Sequence, residues 1–192
     1  MLVTFCCMLG LTAIAKPMIL CLIGEQWLPS VPFLQILCFS MMLYPLHAIN
    51  LNMLQVQGRS DLFLKLEILK KIIGVVPLLL GIFVNIYLML IGSVLTGFIS
   101  YYLNAFYSGM FLNYSIWEQI NDIFPSFIVA LIMAIIVWGI SFINLPPIIL
   151  LSIQLLAGFT IVILICEAIK LDSYMEIRTI VLSYLNKFRH GK

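Results

Sequence analysis

The sequence predicts an all-α integral membrane protein, and three observations lead to this fold class. Hydrophobic residues occupy 64% of the 192 positions, whereas charged residues occupy only 9%. A water-soluble domain carries roughly 25% charged residues. The mean hydropathy is +1.17, and apolar runs close to the roughly 20 residues that cross a bilayer as a helix recur along the chain. We therefore expect one transmembrane domain over residues 1–169, followed by an amphipathic tail over residues 170–192.

Six transmembrane helices are predicted, and several are bounded or interrupted by proline and glycine. Lys16-Pro17 interrupts the first helix, where proline removes a backbone donor and kinks the helix. Pro32 lies near the first turn of the second helix and Pro45 lies at its middle. The predicted spans cover about 2–23, 31–57, 62–84, 87–111, 125–143 and 148–168.

Two further amphipathic segments are expected on the membrane surface. The first is a short helix before Pro125, with Ile116, Trp117, Ile120, Ile123 and Phe124 opposite Ser115, Glu118, Gln119, Asn121 and Asp122. The second is the tail, where Ile177, Val181, Tyr184 and Phe188 form one side and Lys187, Arg189 and Lys192 supply charge.

The fourth predicted span has a stripe of small and polar residues. Ser93, Gly97, Ser100, Asn104 and Ser108 follow one another at steps of four, three, four and four. Such a stripe allows another helix to approach closely, because packing rather than hydrophobicity joins helices in lipid.

The distribution of Lys and Arg predicts the orientation of the six spans. Residues 59–71 hold four of these cations and the tail from Lys170 holds five, whereas the turns at 24–30, around Asn85 and at 144–147 hold none. The positive-inside rule then puts both termini in the cytoplasm. A cleaved signal ending near Ala13-Ile14-Ala15 is the alternative, but the positive region that should begin such a signal is missing here.

A polar stripe in the second span is the main candidate for function. Ser40, Tyr44 and His47 recur at i, i+4 and i+7, and Asn50 and Gln55 lie within about 80° of Ser40 on an ideal helix. Polar groups at membrane depth face a bundle core or a wet cavity. His47 either contacts a substrate or is satisfied by a neighbouring helix. Lys16 either meets an anionic substrate or is neutralised by a carboxylate elsewhere in a longer protein.

The chain lacks the sequence motifs of several classes of enzyme and binding protein. The sequence contains no Gly-rich phosphate loop, HExxH pattern, Ser/His/Asp-like grouping or basic nucleic-acid patch. Cys6, Cys7, Cys21, Cys38 and Cys166 fall in apolar runs without a CxxC pair. We therefore predict no catalytic residue, cofactor, metal site or nucleic-acid partner.

Residues between the first and third spans carry a resemblance to a known family. Lys16-Pro17-Met18-Ile19 leads to Gly24-Glu25 and Trp27, and the second helix ends in Leu54-Gln55-Val56-Gln57-Gly58-Arg59. This order resembles the C-terminal half of polysaccharide-transporter flippases, which belong to the multidrug/oligosaccharidyl-lipid/polysaccharide superfamily. The hydropathy resembles that of the family over the whole chain, and individual residues do so over about 16–71.

The resemblance implies the last six helices of a fourteen-helix, two-lobed transporter in a bacterial inner membrane. The implied function is to flip an undecaprenyl-diphosphate-linked oligosaccharide, together with a missing N-terminal lobe or a partner chain. Transporter sites lie between such lobes near the midplane. On this interpretation Lys16, Tyr44, His47, Asn50 and Gln55 line the substrate path. Arg59 either meets the carrier diphosphate or serves only as one of the orienting cations.

Three other functions remain open on the sequence. A multidrug exporter of the same superfamily usually carries a buried coupling carboxylate, and the acidic residues here lie near predicted span ends. An O-antigen ligase or polymerase is the enzymatic alternative, but the turns without Lys or Arg are too short for the expected catalytic loop. The third alternative is a structural subunit of an export complex.

Overall fold

The computed structural model describes residues 1–112, 114–171, 174–180 and 183. Within these ranges the chain forms helices and no β-strand, which confirms the all-α prediction. A 3₁₀ segment, Glu25–Ser30, precedes the second α-helix. The principal helices are α1 (Leu2–Leu22), α2 (Val31–Met41), α3 (Tyr44–Val56), α4 (Ser60–Phe83), α5 (Ile86–Leu112), α6 (Ile116–Ile140) and α7 (Pro147–Ile169).

Five helical segments of the described chain are long and apolar enough to cross a membrane, as expected of a multi-pass membrane protein. They are Leu2–Leu22, Glu25–Val56, Ile86–Phe111, Ile116–Ile140 and Pro147–Ile169. The third predicted span, now α4, is not among them. Its first half contains Asp61, Lys65, Glu67, Lys70 and Lys71, and Lys70 pairs with Glu67. The count of six spans therefore stays a prediction.

The second predicted span is a broken helix rather than a continuous one. Helix α2 ends at Met41 and α3 begins at Tyr44. The proline at position 45 accounts for the position of the break, because its ring clashes with the carbonyl group four residues earlier, at Met41. Two residues, Met42 and Leu43, therefore lie between the two helices.

The prediction of a separate surface helix before Pro125 was wrong. Helix α6 begins at Ile116 and continues through Pro125 to Ile140. The capping box at Ser115 stabilises its start: the Ser115 hydroxyl accepts from the Glu118 backbone N–H, and the Glu118 carboxylate accepts from the Ser115 N–H. Helices in apolar surroundings can contain proline when neighbouring groups satisfy the freed backbone, so Pro125 was a misleading boundary signal.

Helices α1 and α5 organise the packing. Helix α1 packs against α2, α6 and α7, and α5 packs against α2, α3 and α4. The largest apolar core lies between α1 and α6, where Phe5, Leu9 and Ala13 meet Ala130 and Met133. Small residues keep these helices close: a Cβ atom on Gly10 would lie 3.6 Å from the Met133 methyl carbon.

Another helix packs against the small-residue stripe of α5, as predicted. A Cβ atom on Gly97 would lie 3.9 Å from the backbone oxygen of Ser40 in α2. Further along α5, Asn104 and Ser108 are almost completely buried. On the neighbouring face, Tyr101 and Ala105 form a cluster with Leu46 of α3. The predicted close approach therefore occurs, and it continues into a polar region.

Only the first part of the tail is described. Residues 174–180 are helical, and Arg178 lies 3.4 Å from Glu167 at the end of α7. Ile177, from the predicted apolar side, is 37% exposed. The remaining predicted tail residues, Val181, Tyr184, Lys187, Phe188, Arg189 and Lys192, lie outside the described residues.

Candidate functional site

A pair of buried amide side chains joins α3 to the start of α6. Asn50 is 4% exposed and Gln119 is 3% exposed. The Nδ2 atom of Asn50 donates to Oε1 of Gln119 at 2.9 Å. The Tyr101 hydroxyl of α5 lies 3.5 Å from the same oxygen, and the His47 ring meets the Tyr101 ring edge-on at 5.9 Å between centroids. Three helices thus contribute to one polar cluster.

The helical phase of each chain segment directs these amides inward. On α3 the buried residues are Leu46, Asn50 and Leu54, at i, i+4 and i+8. Residues at this spacing share one face of a helix. Gln119 shares the buried face of α6 with Ser126, Ala130, Met133 and Val137. Both amides therefore lie on helix faces whose other buried residues are mostly apolar or small.

A cavity of about 240 Å³ borders the amide pair. Its lining residues are Leu46, Ile49, Asn50, Met53, Tyr114, Gln119 and Ile123. The lining is thus apolar apart from the two amides and Tyr114. The Tyr114 hydroxyl donates to the Asp122 carboxylate. Burial, together with this hydrogen bond, raises the pKa of Tyr114 to about 12, so the phenol stays protonated and neutral at pH 7.

Several buried polar atoms of α5 and α6 have no hydrogen-bond partner among the described residues. They include Nε2 of Gln119, both amide atoms of Asn104 and the Ser108 hydroxyl. Buried polar groups are paired in the large majority of cases, and an unpaired one costs about 1–3 kcal/mol. The region therefore holds unused hydrogen-bonding capacity in apolar surroundings. It is suited to binding rather than to covalent chemistry.

The structure separates the residues that were predicted to share one polar stripe. His47 is half-buried and Asn50 is buried, whereas Tyr44 is 64% exposed and Gln55 is also exposed. On an ideal helix Asn50 and Gln55 lie about 140° apart, because each is displaced from Ser40 in the opposite direction. Of the six predicted site residues, Asn50 lines the cavity and the other five lie elsewhere.

The two predicted cationic residues have different surroundings. Lys16 is exposed between the buried residues Ala15 and Pro17, and no carboxylate of the described chain lies within ion-pair distance of it. Arg59 Nε lies 3.2 Å from Oδ1 of Asp61, and its guanidinium carbon lies 5.0 Å from the centroid of the Phe111 ring. The hydrogen bond from Arg59 lowers the pKa of the Asp61 carboxyl.

The turn before Arg59 depends on the preceding glycine. Gly58 has a φ of 72°, a left-handed conformation that glycine adopts without the steric cost of a Cβ atom. The backbone N–H of Arg59 then donates to the Leu54 carbonyl at 2.9 Å. This geometry turns the chain between the predicted spans 31–57 and 62–84.

Sequence reasoning did not assign Gln119, Tyr101 or Asn104 to a functional site. Gln119 was expected on the wet side of a surface helix, and Asn104 was expected only to allow close packing. One signal could have found Gln119: if residues 116–140 are treated as a single helix, Gln119 lies in phase with Ala130 and Met133. Tyr101 has no comparable signal, since its contact with Gln119 depends on how α5 and α6 cross.

The described residues contain no group of three His, Cys, Asp or Glu side chains arranged to hold a metal ion. The five cysteines are free thiols in this structure.

Comparisons of the chain with family models, with curated proteins and with solved structures found no match.

Proposed function

We propose that this chain forms part of a bacterial inner-membrane transporter that flips an undecaprenyl-diphosphate-linked oligosaccharide. The structural observation that carries the proposal is the Asn50–Gln119 amide pair beside a cavity within apolar helices. Amides are hydrogen-bond partners for hydroxyl-rich sugars. The residue order over 16–71, which resembles that of polysaccharide flippases, supplies the choice of substrate.

The exposed polar residues fit a site completed by a second lobe or a partner chain. Tyr44 and Gln55 are exposed on α3, and Lys16 is exposed on α1. Polar and charged groups within membrane spans avoid hydrocarbon and face protein or water. Sites between the lobes of transporters meet this requirement. We propose that these three side chains face such a partner.

Arg59 has two roles in this proposal, and both accommodate its contact with Asp61. As one of the four cations of residues 59–71, it keeps this connection in the cytoplasm. As a planar guanidinium, it can also exchange the Asp61 carboxylate for a phosphate of the carrier lipid, since both anions fit the same fork.

Deletion of the gene in its own host tests the function. We expect surface polysaccharide to fall and the undecaprenyl-diphosphate-linked repeat unit to accumulate in the inner membrane. A plasmid copy should reverse both effects, and plasmid copies with His47→Leu or Asn50→Leu should reverse them poorly at near-normal protein level. Normal surface polysaccharide after deletion contradicts the proposal.

The same strain separates the other functions. A multidrug exporter predicts increased drug sensitivity with unchanged polysaccharide. A ligase or polymerase predicts carrier-linked glycan that has already crossed the membrane and is accessible from the periplasm. A structural subunit predicts loss of the export complex that is restored equally well by the wild type and by Asn50→Leu.

Labelling with a membrane-impermeant maleimide tests the proposed orientation. In a cysteine-free background, Asn144→Cys should react in intact cells and Ser60→Cys should react only after the membrane is opened. The reverse pattern contradicts cytoplasmic termini.

A further inference from the structure

The cavity beside the amide pair reaches the outer surface of the described helices. Asn50 and Leu46 are buried, but Ile49, which also lines the cavity, is 56% exposed. The cavity therefore extends from the exposed side of α3 to the buried amides. In a membrane this opening is accessible to molecules that approach sideways between the helices and the lipid.

The innermost part of the cavity offers one specific hydrogen bond. Oε1 of Gln119 accepts from Asn50, while Nε2 of Gln119 has no partner among the described residues. Since Gln119 is 3% exposed and lines the cavity, this amide can donate to an acceptor that enters there. Leu46, Ile49, Met53 and Ile123 surround the remaining space with hydrocarbon.

The surroundings of the cavity favour an uncharged ligand. Among the described residues, the lining contains no Lys, Arg, His, Asp or Glu, and a buried charge without a partner is strongly disfavoured. Tyr114 stays neutral at pH 7, and its hydroxyl is directed to Asp122. The nearby Asp122 carboxylate also repels an anion.

We propose that, while no oligosaccharide occupies the amide pair, this cavity binds the polar end of a neutral, single-chain lipid, such as a monoacylglycerol. The ester carbonyl accepts from Nε2 of Gln119, and the first carbons of the acyl chain pack against Leu46, Ile49 and Met53. A volume of about 240 Å³ is smaller than the roughly 300–1,000 Å³ of a pocket for a drug-sized molecule. The rest of the chain therefore extends past Ile49 into the membrane.

A photo-crosslinking experiment on the purified full chain tests this binding. The probe is a monoacylglycerol with a diazirine near the ester end of its acyl chain, and labelled peptides are identified by mass spectrometry. We expect labelling in residues 44–56 and 114–123. Unlabelled monolauroylglycerol should compete for this labelling, whereas laurate and dodecylammonium at the same concentration should not.

Two variants report on the site and one serves as a matched control. Gln119→Leu should lower labelling at these peptides about fivefold, as expected for the loss of one neutral hydrogen bond of about 1 kcal/mol. Ile49→Trp, at an exposed position where folding is tolerant, should fill the opening and abolish the labelling. Gln154→Leu removes another buried amide, which contacts Val137 near the C-terminal end of α6 and Ser141 just after it. This variant should leave labelling unchanged.

Three results overturn the proposal. Labelling that is unchanged in Ile49→Trp means that the probe reports only surface lipid. Stronger competition by dodecylammonium than by monolauroylglycerol means that Asp122 attracts a cation instead. Equal losses in Gln119→Leu and Gln154→Leu mean that the amide has no specific role. Labelling is measured on purified protein and requires no transport. A failure of the lipid proposal is therefore distinguishable from a failure of the flippase proposal.

Discussion

The two halves of α6 are packed by opposite means. In the C-terminal half, the side chains of Val129, Ala130, Met133 and Val137 are buried in apolar clusters shared largely with α1. One buried amide, Gln154 of α7, donates to the Val137 carbonyl there. In the N-terminal half, Gln119 accepts a hydrogen bond from Asn50, and a cavity lies beside the pair. One continuous helix thus serves a tightly packed interface at one end and a loosely packed polar interface at the other.

The difference indicates which half maintains the fold and which half is available for binding. Lipid chains are as apolar as leucine, so helices in a membrane associate through close packing and hydrogen bonds rather than through the hydrophobic effect. The half that contacts α1 is close-packed by small side chains. In the other half, the Nε2 atom of Gln119, which lines the cavity, has no partner among the described residues. Its cost to stability is expected where a surface is kept for a ligand.

The largest effect is expected from overpacking the apolar half. Ala130 is completely buried, so Ala130→Leu should lower the free energy of unfolding by about 1–3 kcal/mol. Unfolding in mixed detergent and denaturant measures this change. The control is Ile135→Leu on the same helix, because Ile135 is 58% exposed. It should change the free energy of unfolding by less than about 0.5 kcal/mol. Equal effects of both variants would mean that α1 does not pack closely here.

The next largest effect is expected at the start of the polar half. Ser115→Ala removes the hydroxyl that accepts from the Glu118 N–H at 3.2 Å, and loss of an N-cap costs about 1 kcal/mol. Hydrogen exchange of residues 116–119 should accelerate with little change beyond Ser126. Ser152→Ala removes only a hydroxyl that donates to its own helix at Ile148, so it should have a much smaller effect. Equal exchange in Ser115→Ala and the wild type argues against the capping box.

A smaller effect is expected from the amide pair itself. A double-mutant cycle with Asn50→Leu and Gln119→Leu should give a coupling energy of about 0.6 kcal/mol, the average for hydrogen bonds between membrane helices. A cycle that pairs Asn50→Leu with Gln154→Leu should give no coupling, because these amides have different partners. A coupling near zero in the first cycle would show that the pair does not form in the membrane.

The smallest effect is expected at the exposed turn, away from both halves. Because the folded-state pKa of Asp61 is lowered by Arg59, its contribution to stability is present above the unfolded-state pKa and is lost as the pH falls through the folded-state value. The stability difference between the wild type and Asp61→Asn should therefore shrink below about pH 4. In an Arg59→Gln background, this pH dependence should weaken. If the full pH dependence persists in the Arg59→Gln background, another group is responsible for it.

The sequence predicted the amount of helix well and its interruptions less well. Apolar runs of transmembrane length are visible in composition alone, because a bilayer requires roughly 20 apolar residues per helix. Proline predicted helix ends unevenly. Pro45 follows a real break between α2 and α3, whereas Pro125 lies inside α6. The predicted interruption of the first helix at Lys16-Pro17 was also wrong, because α1 continues through Pro17 to Leu22. Since neighbouring groups in the fold decide whether a proline is tolerated, its effect cannot be assigned from local sequence.

The candidate site was predicted in part. Asn50 was selected because it lies on the polar side of an apolar helix, and the structure brings it to the cavity. Tyr44 and Gln55 were selected by the same pattern, but they lie on the exposed side of α3. An 80° tolerance to either side of Ser40 admits residues about 140° apart, so the pattern could not separate the inner face from the outer face.

By itself, the sequence determined the helical class, the apolar character of the spans, the turn at Gly58 and the polar nature of α3. These depend on local composition, periodicity and the conformational freedom of glycine. Only the tertiary structure decided that Asn50 would meet Gln119, that Tyr101 would approach the same oxygen, and that a cavity would remain beside them. Contacts between residues 69 positions apart depend on how α3, α5 and α6 cross, and the crossing results from packing along their whole lengths.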